Sequence, residues 1–263
     1  MARRILVSKI LKTNLMHNNP TLAKYIPLTK RLKRDLLSSM LDQHSMVYVK
    51  PDQGSQGNGV IRIEKINRSY RYQNGLQVFT FTTFNSMYAS LRKHFNHKKY
   101  IIQKGIHLLK HKGRPFDFRV MIQRNPKRKW ECTGTLGRLA HPGKAVTNGS
   151  QGGTIYDPSL LLSPLIQTRT SALLRHMNRL AHLTASQLSQ THPQLNELGL
   201  DIAIDRSLKP WILEVNTSPD AGPFSLLPNP KIIRTIVAYG KIYGKHHRSS
   251  CTKAKKAPGS SKG

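Results

Sequence analysis

Two short runs, Glu197-Leu-Gly-Leu-Asp201-Ile-Ala-Ile-Asp205 and Trp211-Ile-Leu-Glu214-Val-Asn216, flank residues 206–210 in a chain dominated elsewhere by lysine and arginine. Leu200, Ile202 and Ile204 alternate with Asp201, Ala203 and Asp205, the period-two pattern of a half-buried strand. Ile212, Glu214 and Asn216 share one parity of the second run. Residues 206–210, ending in Pro210, read as the turn of a hairpin. Opposed residues on such a pair lie roughly 4.5–5.5 Å apart. Asp201, Glu214 and Asn216 therefore converge as oxygen donors on one face. That set suits Mg²⁺, which takes roughly one or two carboxylates plus waters and substrate phosphates. The plainer reading is an exposed polar hairpin face.

Composition sharpens the contrast. There are 43 Lys and Arg against 12 Asp and Glu, a formal net charge of +31, yet five of the 12 acids fall between Glu197 and Asp220. A chain of 263 residues can hold a sizeable core in one or two domains. No run approaches the roughly 18–20 apolar residues of a membrane span, and the basic start has too short an apolar stretch for a signal peptide. Cys132 and Cys251 lie far apart, so no disulfide is expected and a reducing cytoplasm is the default. The charge is spread along the chain, without a helix-turn-helix, zinc-finger or RNA-recognition signature. A specific nucleic-acid partner is not expected; a solvated basic surface or an anionic substrate explains the charge as well.

Along the chain, residues 1–45 read as a helical and loop-rich segment punctuated by Pro20 and Pro27. Residues 46–65 read strand, glycine-rich turn, strand, and Asn74-Gly75 marks a further hairpin. A helix suits 85–97, and strands suit 100–103, 116–123 and 130–140. A glycine-rich loop covers 141–156, helical leucine spacing runs from about 159 to 190, and a last helix spans about 229–243. Residues 245–263 have no apolar pattern and read as a disordered basic tail. Antiparallel strands and segregated helices make this an α+β fold.

Several segments carry chemistry. In Lys50-Pro-Asp-Gln-Gly54-Ser55-Gln56-Gly57-Asn-Gly59, glycines let backbone N–H groups approach phosphate oxygens, and Lys50 can reach them as a point charge. An ordinary glycine-rich hairpin turn fits equally. Tyr100–Gln103 with Lys104-Gly-Ile106 could offer backbone groups to a base, or be a plain buried strand. Asp117, Arg119 and Gln123 share one face of a strand; Arg119 there suits an anionic oxygen pair or a surface salt bridge. Arg138 and the loop holding Asn148, Gly152 and Gly153 could close over a substrate, or form an ordinary surface loop. The twelve histidines show no metal spacing.

Five motifs occur in an order that resembles the ATP-grasp fold, and within it the YheC/YheD-type family linked to endospore coats. They are Val47-Tyr-Val-Lys50-Pro with Gly54-Ser-Gln-Gly57-Asn-Gly59; Tyr100-Ile-Ile-Gln103; Arg114-Pro-Phe-Asp117-Phe-Arg119; Val146-Thr-Asn148 with Gly152-Gly153; and Glu197-Leu-Gly199-Leu-Asp201 through Glu214-Val-Asn216-Thr-Ser-Pro219. The resemblance spans about residues 8–240. It implies two α+β lobes clamping ATP: a nucleotide-covering lobe over 46–106 and a C-terminal lobe with the metal site over 107–244. It further implies that Lys50 contacts phosphate, that the loop of Gly54, Ser55, Gln56, Gly57 and Gly59 covers it, and that Lys9 or Lys12 supplies an early phosphate lysine. Gln103, Lys104 and Ile106 would line the adenine site, and Asp201, Glu214 and Asn216 would hold Mg²⁺. Asp117, Arg138, Asn148, Gly152 and Gly153 fall towards the substrate. Many members carry Glu where Gln103 stands, and many ATP-grasp ligases have a preceding substrate-binding domain for which the residues ahead of Val47 leave little room.

The activity implied is ATP- and Mg²⁺-dependent joining of a carboxylate to an amine through an acylphosphate, with Lys50 and Arg119 as the catalytic side chains and both substrates unassigned. The rival is an ATP-grasp scaffold in the spore coat with little turnover. The intact Lys50, Asp201, Glu214 and Asn216 set argues against complete loss of nucleotide binding.

Overall fold

The computed structural model describes residues 6–54, 57–143, 152–252 and 254–257, with 164–167 described by backbone alone. Helices α1 (Lys9–His17) and α2 (Pro20–Ala23) lead to strand β1 (Thr29–Arg31) and helix α3 (Arg34–His44). Strands β2 (Met46–Pro51), β3 (Ile61–Ile66), β4 (Ser69–Asn74) and β5 (Gln77–Phe81) follow, then helix α4 (Phe84–Arg92) and strand β6 (Tyr100–Lys104). The rest comprises β7 (Lys110–His111), β8 (Arg114–Arg124), β9 (Trp130–Leu139), β10 (Thr154–Tyr156), α5 (Pro158–Ile166), α6 (Thr170–Thr191), β11 (Glu197–Ile204), β12 (Pro210–Asn216), α7 (Pro230–Ile242) and β13 (Lys255–Lys256).

The strands form two sheets, each with its own core. The first runs β1-β6-β2-β3-β4-β5, antiparallel throughout. Alternation decides which face is buried: Val47, Val49, Ile61 and Ile63 point towards Leu37, Leu41, Met87 and Leu91 of α3 and α4. The second sheet runs β12-β11-β8-β9-β10-β13, with β7 paired to β8. On one face Phe116, Phe118, Val120 and Ile122 pack with Leu198, Leu200 and Ile202 against Leu173, Met177 and Leu180 of α6. Phe118 is fully buried there; cutting it to Ala would cost about 3–5 kcal/mol. On the other face Met121 and Leu136 meet Phe224, Ile233 and Ile236 of the α7 region.

In the hairpin of β11 and β12, Asp201 opposes Glu214 and Gly199 opposes Asn216, but a bulge after Asp201 breaks the expected parity. Ile202 opposes Ile212, which joins Val215 in the core and does not share the face of Glu214 and Asn216. Two stretches differ from the sequence expectation. Residues 1–45 do not form one leading segment. Leu6, Met16, Leu22 and Ile26 belong to the second sheet's core, whereas β1 and α3 belong to the first lobe. The strand Thr29-Lys-Arg31 has no apolar alternation and pairs with Gln103, Ile102 and Ile101, some seventy residues later, so no local pattern announces it.

The tail expected to be disordered is held as far as Ala257. Lys245 and His247 bind the buried carboxylate of Glu197, and Lys255 N–H and Ala257 N–H donate to Gly153 and Ile155 of the β10 strand region. An internal carboxylate that needs donors draws this segment in, and Ala254 and Ala257 add a small apolar contact.

Candidate nucleotide site between the two sheets

Three lysines converge on one glutamate where the sheets face each other. Lys9 and Lys12 come from the first turn of α1, Lys50 from the end of β2, and Glu214 from β12. Two small adjoining clefts are both lined by Lys9, Lys50 and Glu214; Lys12, Thr13, Met16 and Gln103 complete one, and Gly54, Gly57, Asn58 and Val60 the other. Lys9 Nζ donates to Gly54 O at 2.8 Å and lies 3.4 Å from Glu214 Oε1. Lys50 Nζ donates to Gln103 Oε1 at 2.8 Å and to Leu213 O at 3.3 Å, joining the two lobes. Gln103 Nε2 donates in turn to Thr29 Oγ1 at 2.9 Å, which fixes the amide orientation. Burial pushes Lys50 and Lys12 down to about 8 each; nearby Glu214 only partly offsets it. Three lysines face Glu214, with Asp52 also acting on Lys12 and Asp201 on Lys50, and Gln103, being neutral, adds no balancing charge.

Asp52 positions this cluster. Its side chain accepts from Ser8 Oγ and from Ile10 N–H, each at 2.8 Å, and its carbonyl accepts from Lys9 N–H at 3.0 Å. The N-terminus of α1 leaves orphan N–H donors and a positive dipole end, and a carboxylate answers both. Ser8 caps the same turn through Leu11 N–H. The residue two places after Lys50 thereby fixes Lys9 and Lys12. Beyond it, Gly57 and Gly59 adopt φ of 73° and 72°, which favours glycine, and a Cβ on Gly59 would lie 3.1 Å from Pro51.

A buried ionic network lies beside the cluster on the second sheet. Arg119 binds Asp201 through two nitrogens, its Nη2 at 3.1 Å from Oδ2, and Arg138 Nη2 lies 3.1 Å from the same oxygen. Arg138 also pairs with Asp117 at 2.7 and 2.5 Å. Burial alone would raise the Asp201 carboxyl, but Arg119 and then Arg138 hold it below the usual range. The three proposed metal donors are thus unequal. Glu214 lines both clefts, and Asn216 stands two residues on along the same strand face. Asp201, directly opposite Glu214, already carries two guanidinium groups. Glu214 and Asn216 are an oxygen pair of the kind Mg²⁺ takes with water and phosphate, although Asn216 lines neither cleft and, among the described residues, no group of three or more His, Cys, Asp or Glu is gathered to hold a metal.

The structure brings together Lys9, Lys12, Lys50, Gly54, Gly57, Gln103 and Glu214, with Gly59 bracing the loop. Other expected positions differ. Lys104 and Ile106 line neither cleft; the N–H groups of Lys104 and Gly105 donate to Leu28 O and Met46 O, which satisfies them within the sheet. The Gln103 amide expected at adenine is engaged by Lys50 and Thr29. Asp117 and Arg138, expected towards substrate, pair with each other. Gly152 and Gly153 lead into β10, where Gly153 O accepts from Lys255 N–H. Ser55, Gln56 and Asn148 lie outside the described residues. Asp52 and Thr29 are the functional positions the sequence did not single out. For Asp52 the available signal was a carboxylate inside a glycine-rich phosphate loop.

Comparisons with known proteins bear on the family and the fold. A family profile described as YheC/D like ATP-grasp matches residues 3–246. The chain is similar to the endospore coat-associated protein YheD of Bacillus subtilis (strain 168), 27% identical over 225 residues, covering 80% of this chain and 48% of that protein. It is also similar to the endospore coat-associated protein YheC of the same organism, 24% identical over 200 residues, covering 74% of this chain and 55% of that protein. It therefore spans about half the length of the curated relatives it matches. Among solved structures, the N5-carboxyaminoimidazole synthase of Aspergillus clavatus, in complex with ADP and 5-aminoimidazole ribonucleotide, superposes with a TM-score of 0.55. It is 7% identical and covers 97% of this chain and 56% of its own, a likeness of fold alone.

Proposed function

The chain belongs to the YheC/D-like ATP-grasp family, and on that premise we propose that it binds ATP between its two sheets and uses it to join a carboxylate to an amine. The observation that carries this is the convergence of Lys9, Lys12 and Lys50 on Glu214 beneath the glycine-rich loop. Lys9, Lys12 and Lys50 hold phosphate oxygens. Charge developing on a phosphoryl group in flight is offset by the same lysines, already desolvated and in place. To Arg119, which lines neither cleft and is bound to Asp201 through Nε and Nη2, we assign the oxygens of an acylphosphate. The acylphosphate forms as the carboxylate takes the γ-phosphoryl group of ATP with release of ADP; the amine then attacks the acyl carbon with loss of phosphate. Glu214 and Asn216 are the residues that would hold Mg²⁺, whose contribution is charge neutralisation at the phosphates. Asp201 orients Arg119 and lies across from Glu214.

A second reading, a nucleotide-binding scaffold with little turnover, is favoured by one observation: Asp201 carries two arginines, leaving Glu214 the more open carboxylate. Association with the endospore coat is part of both readings, on the relatives' names. Calorimetry with ATP, with and without Mg²⁺, tests nucleotide binding. ADP release from Mg-ATP against a panel of amino acids, peptides and anionic polymers then separates ligase from scaffold. No binding under either condition would overturn both readings.

A further inference from the structure

The surface of this chain is almost free of negative charge. Among the described residues only Asp35, Asp42 and Asp220 are exposed acids, against 25 exposed lysines and arginines. The other carboxylates are partly or fully withdrawn: Asp52 caps a helix, Asp117, Glu197 and Asp201 sit in internal networks, and Glu214 is in the cleft. A net charge this far from zero repels itself and draws polyanions without needing a sequence-reading element.

Exposed cations gather at one end of the first sheet. Strand β1 is that sheet's edge, and its register sets Arg31 against Ile101 while Leu32 N–H donates to Tyr100 O at 2.9 Å. Lys30, Arg31 and Lys33 on one segment therefore lie beside Lys98 and Lys99 on the other, all exposed. Asp35, next to Arg34, is an exposed acid beside them, and Asp52, whose N–H donates to Lys99 O, is buried. We propose that this edge is a docking surface for the phosphodiester backbone of duplex nucleic acid, read as charge and not as sequence.

Other polyanion carriers fit less well. A membrane surface needs an apolar face to seat, and among these residues only Leu28, at 38% exposure, is a large exposed apolar side chain. Single strands need open aromatic platforms. Here the Tyr100 ring is covered by Phe95, with centroids 4.7 Å apart. The edge adjoins the lysine cleft through its backbone, Lys99 O accepting from Asp52 N–H at 2.8 Å and Arg31 opposing the cleft residue Ile101. Lys33, Lys98 and Lys99 line neither cleft, so duplex binding and nucleotide binding are measured separately.

The test uses the full chain and fluorescently labelled 20-base-pair duplexes of two unrelated sequences, followed by anisotropy across a salt series. The expected result is equal affinity for both sequences. The slope of log affinity on log salt should be about −3 or steeper, at roughly 0.9 per neutralised phosphate. Lys33→Glu, Lys98→Glu and Lys99→Glu together should cost at least about tenfold and flatten the slope by about 2–3. Reversing Lys127, Arg128 and Lys129, an equal change of charge in a distant turn, should cost much less. If the reversed edge impairs folding, the Gln triple variant is used, with an unchanged urea unfolding midpoint as the check that the chain is intact. Equal losses at both places would overturn the edge as the site, leaving only bulk charge. No loss at the edge would show that these lysines merely guard an open strand against pairing. Tighter binding to anionic vesicles than to the duplex would also sink the proposal.

Discussion

Lys50 offers a test of the site that needs no substrate. Burial brings it from its ordinary 10.5 to about 8. At about 1.4 kcal/mol per pH unit, a charged Lys50 costs the fold roughly 3 kcal/mol. Lys50→Met removes that penalty and keeps the volume. It also takes a donor from Gln103 Oε1 and Leu213 O, a loss of about 1–3 kcal/mol that does not vary with pH in this range. The pH dependence isolates the charge. Below about 8 the lysine is protonated whether the chain is folded or not, and the penalty is fully present. Between 8 and 10.5 the unfolded chain keeps a proton that the folded chain releases, so wild-type stability climbs relative to the variant by about 1.4 kcal/mol per pH unit. Above 10.5 the gap levels off. Urea unfolding of both proteins at pH 7, 8, 9 and 10 measures it. The gap should move in favour of wild type by about 2–3 kcal/mol across that range. A gap that stays flat would refute the claim that Lys50 is held desolvated and charged.

Phosphate-bearing ligands should restore the proton to Lys12 and Lys50. ATP binding at pH 8.5 should therefore take up protons, seen as an enthalpy that changes with buffer ionisation heat; no uptake would mean that the ligand sits elsewhere. Asp52→Ala should cost about 1–2 kcal/mol of stability through lost capping and weaken ATP binding through misplaced Lys9 and Lys12, whereas Asp52→Asn should recover part of both. If affinity is untouched by Asp52→Ala, α1 is not set by this carboxylate. Glu214→Gln should reduce the Mg²⁺-dependent part of ATP affinity about tenfold or more with little change in melting temperature, and Asp220→Asn should change neither. Equal effects from the two would remove Glu214 as a specific ligand. Glu197, although buried, is held below the usual carboxylate range by His247, Lys245 and Tyr243. Its contribution is present above the unfolded pKa and is lost as pH falls through that range, so Glu197→Gln should have a flatter acid denaturation curve than wild type.

Much of the fold and family was legible because the informative patterns are local. Alternation over 200–204 and the shared parity of Glu214 and Asn216 mark the hairpin, though not the bulge that turns Ile212 to the core, and Gly57 and Gly59 mark a loop with left-handed backbone. What escaped depends on register between distant segments. Asp52 meets Ser8 and Ile10 across 44 and 42 residues, and Glu197 meets Lys245 across 48. Nothing at either end marks such a partner. Parity placed Asp117, Arg119 and Gln123 on one face of their strand and Asp201 with Glu214 and Asn216 in the hairpin, but that Asp201 meets Arg119 and Asp117 meets Arg138 depends on the β8–β11 and β8–β9 registers. The free carboxylate read from the hairpin is therefore a shared one.

The return of the chain past α7 also bears on how molecules of this protein avoid one another. Strand β10 is three residues long and would end the second sheet with open hydrogen-bonding groups. Strand β13 covers it in parallel and presents Lys255 and Lys256, both exposed, as the new border. Two adjacent lysines are a poor template for another strand. The family match stops at residue 246, between Lys245 and His247. A chain cut there loses one donor to Glu197 and uncovers β10 together, so its first defect should be self-association at high concentration.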